Sequence, residues 1–150
     1  MLIVRITKQF TFEMAHALFG YDGPCRNVHG HSYRLEVTVK GKPIQTAVNP
    51  KLGMVMDFGD LKSIVNKHVL DDFDHTLLIY DNSFTDDLEQ YEHIFGKIRL
   101  VPYQPTCENL LIDIRQRILP YLPENITLEV IRLHETATSF AEIFEADNKV

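Results

Sequence analysis

Apolar and polar residues alternate along the first forty positions. Val4 and Ile6 alternate with Arg5 and Thr7, and Phe10, Phe12 and Met14 with Thr11 and Glu13, which is the period of a strand with one buried face. Gly20 to Pro24 (Gly-Tyr-Asp-Gly-Pro) marks a loop. A second run sets Tyr33, Leu35, Val37 and Val39 against Arg34, Glu36 and Thr38, and Gly41-Lys42-Pro43 ends it. Gly53 to Met56 reads as a short strand returning to the sheet. At Asp57 the period lengthens: Asp57 is a good N-cap with Asp60 three residues on, and Phe58, Leu61, Ile64, Val65 and Val69 keep helical spacing. Residues 71–101 have no clear period; they are acidic, with turns near Asp81-Asn82 and Gly96 and a short helix predicted from Asp86 to Phe95. Beyond Pro105, Thr106 caps a second long helix with Glu108 in its first turn. Leu110, Leu111, Ile114 and Ile118 form its buried stripe, and Pro120 and Pro123 close it. Strands at Ile126–Leu133 and Phe140–Glu145 follow. The order β-β-(β)-α-α-β-β places the helices between antiparallel hairpins and predicts an α+β sheet with two helices packed on one face.

No repeat, low-complexity tract or linker divides the 150 residues, so residues 1–150 are expected to form a single domain. With 45% hydrophobic and 24% charged residues, the chain has the proportions of a soluble globular protein. A net charge of −6 without a basic block disfavours a non-specific nucleic-acid binder. Apolar runs such as Leu77 to Tyr80 fall far short of the roughly 18 residues of a membrane span. Met1-Leu2-Ile3-Val4 meets Arg5 at once, without the apolar core of about 7–15 residues of a secretory signal. Cys25 and Cys107 are too few for a disulfide framework. A cytoplasmic location without a membrane or nucleic-acid partner is expected.

Seven histidines change this picture. In His29-Gly30-His31, positions i and i+2 of a strand point to one face, so both imidazoles can meet one metal ion. His16 has the parity of Phe10, Phe12 and Met14, and His31 that of Tyr33 and Leu35. If the first two strands pair as a hairpin, His16 can face the same ion. Three histidines with an open fourth position is the pattern of a catalytic zinc rather than a structural one. His-x-His alone also describes ordinary surface or core histidines. Cys25, four residues before His29 and next to Arg26, is either a base or nucleophile with a favoured thiolate, or a buried inert thiol. Cys107 either gains thiolate character at the helix N-terminus or simply fills the first turn. Asp74-His75 has the form of a carboxylate orienting an imidazole for acid–base work, although adjacent pairs also arise without a role. Glu135 at a strand end can accept two parallel N–H bonds from a guanidine-like edge, or can be merely a strand-end glutamate. His68 and His93 read as helix-surface residues.

Taken in order, six fragments carry a resemblance: Phe12-Glu13-Met14-Ala15-His16; Cys25-x-x-x-His29-Gly30-His31; Gly53-Met54-Val55-Met56-Asp57-Phe58-x-x-Leu61-Lys62; Asp74-His75; Pro105-Thr106-x-Glu108-Asn109-Leu110; and Glu135-Thr136-x-Thr138-Ser139. They span residues 10 to about 140, and together they resemble the family of 6-pyruvoyl- and 6-carboxy-tetrahydropterin synthases. The resemblance implies the tunnelling fold, a four-stranded antiparallel sheet backed by two helices. It also implies assembly into trimers or hexamers with active sites between subunits. His16, His29 and His31 are the implied zinc ligands. Cys25 is the implied catalytic base, with Asp74 and His75 as relay partners. Glu135 is the implied pterin anchor, with Thr106 and Glu108 lining its pocket. The implied substrate is 7,8-dihydroneopterin triphosphate.

Two outcomes of that chemistry remain: elimination of triphosphate to a 6-pyruvoyl product, or side-chain cleavage to 6-carboxytetrahydropterin, acetaldehyde and triphosphate. The compact Cys-x-x-x-His-Gly-His spacing and the Glu-Thr-x-Thr-Ser ending resemble the carboxy branch, which serves queuosine (7-deazaguanine) biosynthesis. The stretch from Asp81 to Tyr103 is longer than in short family members and is expected at a pocket rim or a subunit contact. A net charge of −6 requires local Lys or Arg to offset a triphosphate. Two other classes compete: a pterin-binding protein without catalysis, and a metal-free cysteine hydrolase using Cys25 and His75.

Overall fold

A computed structural model describes residues 1–83 and 87–148. Its frame is a six-stranded sheet in the order β4-β3-β1-β2-β5-β6. Strands β1 (Val4–His16) and β2 (His29–Gly41) form a long antiparallel hairpin, in register from Val4↔Gly41 to His16↔His29. β5 (Thr127–His134) adds antiparallel to β2 with an irregularity at Thr38/Val39, and β6 (Phe140–Phe144) closes that side. These four strands are the expected antiparallel sheet.

Two further strands correct that expectation. β3 (Thr76–Tyr80) runs parallel to β1 at Met14–His16, and β4 (Ile98–Val101) runs parallel to β3. The sheet is therefore mixed and six-stranded. Both additions come from residues 71–101. Short apolar runs such as Thr76–Tyr80 do not distinguish strand from helix by period, and parallel pairing has no tight hairpin turn to announce it.

One face of the sheet is apolar. Phe10, Phe12, Met14, Tyr33, Leu35, Val37 and Val39 are buried there beneath the helices. Helix α1 (Phe58–Val65) begins where Asp57 accepts a 2.7 Å hydrogen bond from Gly59 N–H. It continues through a π-turn at Asn66–Leu70 into α2 (Asp71–Phe73), burying Leu61, Val65, Val69 and Phe73. Helix α4 (Cys107–Ile118) starts at Thr106 and buries the predicted stripe of Leu110, Leu111, Ile114 and Ile118. Each such side chain contributes about 1.5–3 kcal/mol of burial. The other face is polar, with Thr7 bonded to Thr38, Gln9 to Glu36 and Arg132 to Glu142, as expected of an antiparallel sheet covered on one side.

Smaller expectations shift. Gly53 to Met56 is a turn rather than a strand: Ile44 N–H donates to Met54 O and Gly53 N–H to Ile44 O, with Gly53 at φ +85°. Val55 from this turn packs against Gly41, where a Cβ would approach its Cγ1 to 3.2 Å. The expected helix start at Asp86 lies outside the described residues; α3 runs Glu89–Phe95 and ends at Gly96, φ +71°. Glu145 leaves the last strand for a short 3₁₀ turn and pairs with Arg115.

Candidate metal centre and adjoining cleft

The β1–β2 register sets His16 directly opposite His29, and His31 opposite Met14 one same-face step further in. The three rings converge, with centroids 4.6, 4.9 and 5.2 Å apart, and one ligand atom from each lies within 4.8 Å of the others. The spacing argument for one ion is thereby met by geometry.

The hydrogen bonds around the rings decide their chemistry. His16 Nδ1 lies 2.7 Å from Pro105 O, and His29 Nδ1 2.7 Å from Asn27 O. A carbonyl only accepts, so each Nδ1 carries the proton and each neutral ring leaves a lone pair on Nε2. Those two Nε2 atoms are 3.1 Å apart, so without a proton or cation between them two lone pairs oppose each other. His31 Nε2 is buried with no hydrogen-bond partner, its closest acid being Glu135 Oε1 at 3.8 Å. Burial pushes the His16 pKa down, which keeps that ring in its neutral, ligating form. Three converging nitrogens, two of them on rings oriented by backbone carbonyls and the third otherwise orphaned, fit a divalent ion of the borderline class with a fourth position open.

A cleft of about 310 Å³ adjoins the histidines. His16, Cys25, Thr106, Glu108 and Glu135 line it, together with Tyr21, Cys107 and Ser139. Cys25 sits in a 3₁₀ turn at Pro24–Arg26, and its carbonyl accepts from Leu18 N–H at 2.9 Å, tying the loop together. Thr106 accepts from Asn109 N–H at 3.3 Å and so caps α4 as it lines the cleft. The neighbouring Pro105 carbonyl orients His16, so one loop fixes both the helix start and a candidate ligand. Glu135 opens the β5–β6 turn, where its N–H bonds Ser139 O at 3.1 Å. The thiolate alternative for Cys107 is overturned. Burial, with Glu135 nearby, pushes that thiol up to about 11, and it donates to Leu133 O at 3.3 Å.

Asp74 and His75 lie elsewhere. His75 adopts a left-handed backbone, φ 57°, and its N–H bonds Glu13 O at 2.6 Å. Asp74 Oδ1 accepts from Glu13 N–H at 2.9 Å and lies 3.0 Å from His75 Nδ1. Burial opposes ionisation of Asp74, but these bonds outweigh it and hold the carboxyl below its usual range. The His75 side chain is 78% exposed and borders a second cleft with Glu13, Gly30, His31 and Phe95, not the one lined by Cys25. A single chain thus brings His16, on which His29 and His31 converge, together with Cys25, Thr106, Glu108 and Glu135, and places His75 at a second cleft that His31 also borders. Phe95 shows the Asp81–Tyr103 segment at a pocket rim, as one of its two expected places. Sequence reasoning missed Tyr33, whose ring lies edge-on to His31 at 5.6 Å; it read only as a core strand residue.

A family model described as 6-pyruvoyl tetrahydropterin synthase matches residues 5–146. The 6-carboxy-5,6,7,8-tetrahydropterin synthase of Haemophilus influenzae is 40% identical over 146 residues, covering 94% of this chain and 99% of that one. Its namesake in Rickettsia typhi is 32% identical over 147 residues, covering 94% and 100%. Among solved structures, the 6-pyruvoyl tetrahydropterin synthase of Caenorhabditis elegans superposes with a TM-score of 0.67 at 25% identity, covering 96% of each chain. No helix among the described residues is long and apolar enough to cross a membrane.

Proposed function

Since the chain belongs to the 6-pyruvoyl tetrahydropterin synthase family, we propose that it is a 6-carboxy-5,6,7,8-tetrahydropterin synthase. It converts 7,8-dihydroneopterin triphosphate to 6-carboxytetrahydropterin, acetaldehyde and triphosphate, a reaction that feeds 7-deazaguanine (queuosine) synthesis. The observation that carries the reading is the set of three inward-facing imidazole nitrogens beside a cleft that holds a thiol and a carboxylate. Relatives of nearly equal length bearing the carboxy name favour that outcome over the pyruvoyl one.

His16, His29 and His31 would hold a zinc ion. When bound, it polarises the side-chain hydroxyls of the substrate and acidifies neighbouring C–H protons. The two oxygens of Glu135 accept hydrogen bonds from the 2-amino and N3–H groups of the pterin and fix its orientation, with Thr106 and Glu108 lining the pocket. Cys25 moves the proton at the substrate side chain. Asp74 accepts from His75 Nδ1–H, so His75 Nε2 faces outward with its lone pair free to relay a proton. Because His75 projects to solvent away from the Cys25 cleft, the pair serves the site of an adjoining subunit in a trimer or hexamer. The same separation disfavours a cysteine hydrolase dyad within one chain. Arg26, beside Cys25, has no carboxylate partner among the described residues and is available to the phosphates.

The test is one incubation of zinc-loaded protein with 7,8-dihydroneopterin triphosphate. Stoichiometric acetaldehyde and 6-carboxytetrahydropterin are expected, and both disappear in Cys25→Ala while the metal stays bound. A 6-pyruvoyl product would move the protein to the sister activity. No turnover of any dihydropterin would leave a binding protein.

A further inference from the structure

Two buried side-chain polar atoms among the described residues have no hydrogen-bond partner: His31 Nε2 and the Tyr33 hydroxyl. The first is accounted for by a cation at the histidine cluster; the second is not. Tyr33 is 1% exposed, and its ring stacks on Phe12 at 5.1 Å, with His31 and His16 edge-on at 5.6 and 6.3 Å. A phenylalanine would make the same ring contacts without burying an unpaired hydroxyl, a defect that native structures rarely keep. A hydroxyl retained under that penalty beside a ligand site points to a partner that arrives with the ligand. A phenol O–H carries a proton to give, so the group can act as a donor.

The acceptor follows from the histidine chemistry. The basic group beside Glu135 Oε1 is His31 Nε2, at 3.8 Å. Once that nitrogen gives its lone pair to a cation, it has no proton to offer the carboxylate. Tyr33 is the remaining buried donor in the same cluster of rings.

We propose that Tyr33 is a positioning residue for Glu135: in the loaded protein its hydroxyl donates to the Glu135 carboxylate and holds both oxygens toward the pterin N–H edge. This rests on the reading of Glu135 as the pterin anchor. The experiment measures neopterin affinity by fluorescence titration of zinc-loaded wild type, Tyr33→Phe, Glu135→Gln and the double variant, with melting temperatures of the metal-free proteins beside them. Tyr33→Phe is expected to weaken neopterin binding about 5–10-fold, the order of one typical hydrogen bond, because the hydroxyl acts on the ligand only through Glu135. Its metal-free melting temperature stays the same or rises. KM for the triphosphate rises in proportion, with kcat within about twofold. In the Glu135→Gln background the same change costs less, because the charged acceptor is gone and only a neutral amide oxygen is left to accept. Affinity within twofold in Tyr33→Phe overturns the proposal, as does an equal loss in both backgrounds or a lowered metal-free melting temperature. Glu135→Gln binding neopterin as tightly as wild type would instead remove the anchor reading, and the proposal with it.

Discussion

Replacing His31 with alanine removes one of three nitrogens that otherwise surround a single point, and the consequence can be read as heat stability. A ligand that binds only the folded chain stabilises it by RT ln(1 + [L]/Kd), about 2.7 kcal/mol at a free zinc concentration of 100 Kd. For a 150-residue chain, unfolding entropy of about 2.1 cal/mol/K per residue gives roughly 0.3 kcal/mol/K. The wild-type melting temperature is therefore expected to rise by about 9 °C on adding zinc. With one ligand lost, a site a hundredfold weaker gains only RT ln 2, about 0.4 kcal/mol or 1 °C, at the same free zinc. Any cavity left by the alanine is present with and without metal, so it cancels in the difference. Differential scanning fluorimetry against a chelator-buffered zinc series measures both. Equal zinc-induced shifts in wild type and His31→Ala, or no shift in wild type, would refute the metal-centre reasoning.

Two further outcomes follow from the same geometry. If Asp74 and His75 complete a neighbour's site, Cys25→Ala and His75→Ala are each inactive alone, yet a one-to-one mixture dissociated and reassembled regains about a quarter of wild-type activity, one intact site in four; no recovery would place both residues in one subunit's site. The hydrogen bond from His134 holds the Glu36 carboxyl below its usual range, burial notwithstanding. The unfolded chain then takes up that proton first, so this contribution is present above the unfolded pKa and lost as pH falls through the folded one. Melting temperature should drop on acidification from about pH 5 to 3, less steeply in Glu36→Gln; identical slopes would contradict this.

Much of the candidate site was legible because it rests on local rules. Strand parity put His16, His29 and His31 on one face, and the β1–β2 register made that face common. Asp57 and Thr106 cap helices as their side-chain chemistry predicts. What escaped was non-local. β3 exists through parallel pairing with β1, and β4 through parallel pairing with β3, and neither leaves a turn signature in the residues between. The left-handed backbone of His75 depends on bonds to Glu13, far away in the chain, and no propensity argument reaches that far. The thiolate alternative for Cys107 rests on its helix position alone, and burial, with Glu135 nearby, pushes that thiol up instead. The unpaired hydroxyl of Tyr33 is a property of packing alone.

X-ray absorption at the zinc edge of the loaded protein addresses the metal centre itself. Three imidazole nitrogens at about 2.0–2.1 Å with one light-atom neighbour from solvent, unchanged in Cys25→Ala, are the expected shell. A sulfur scatterer near 2.3 Å, or a shell without imidazole, would contradict the assignment of His16, His29 and His31 as ligands and of Cys25 as a free thiol.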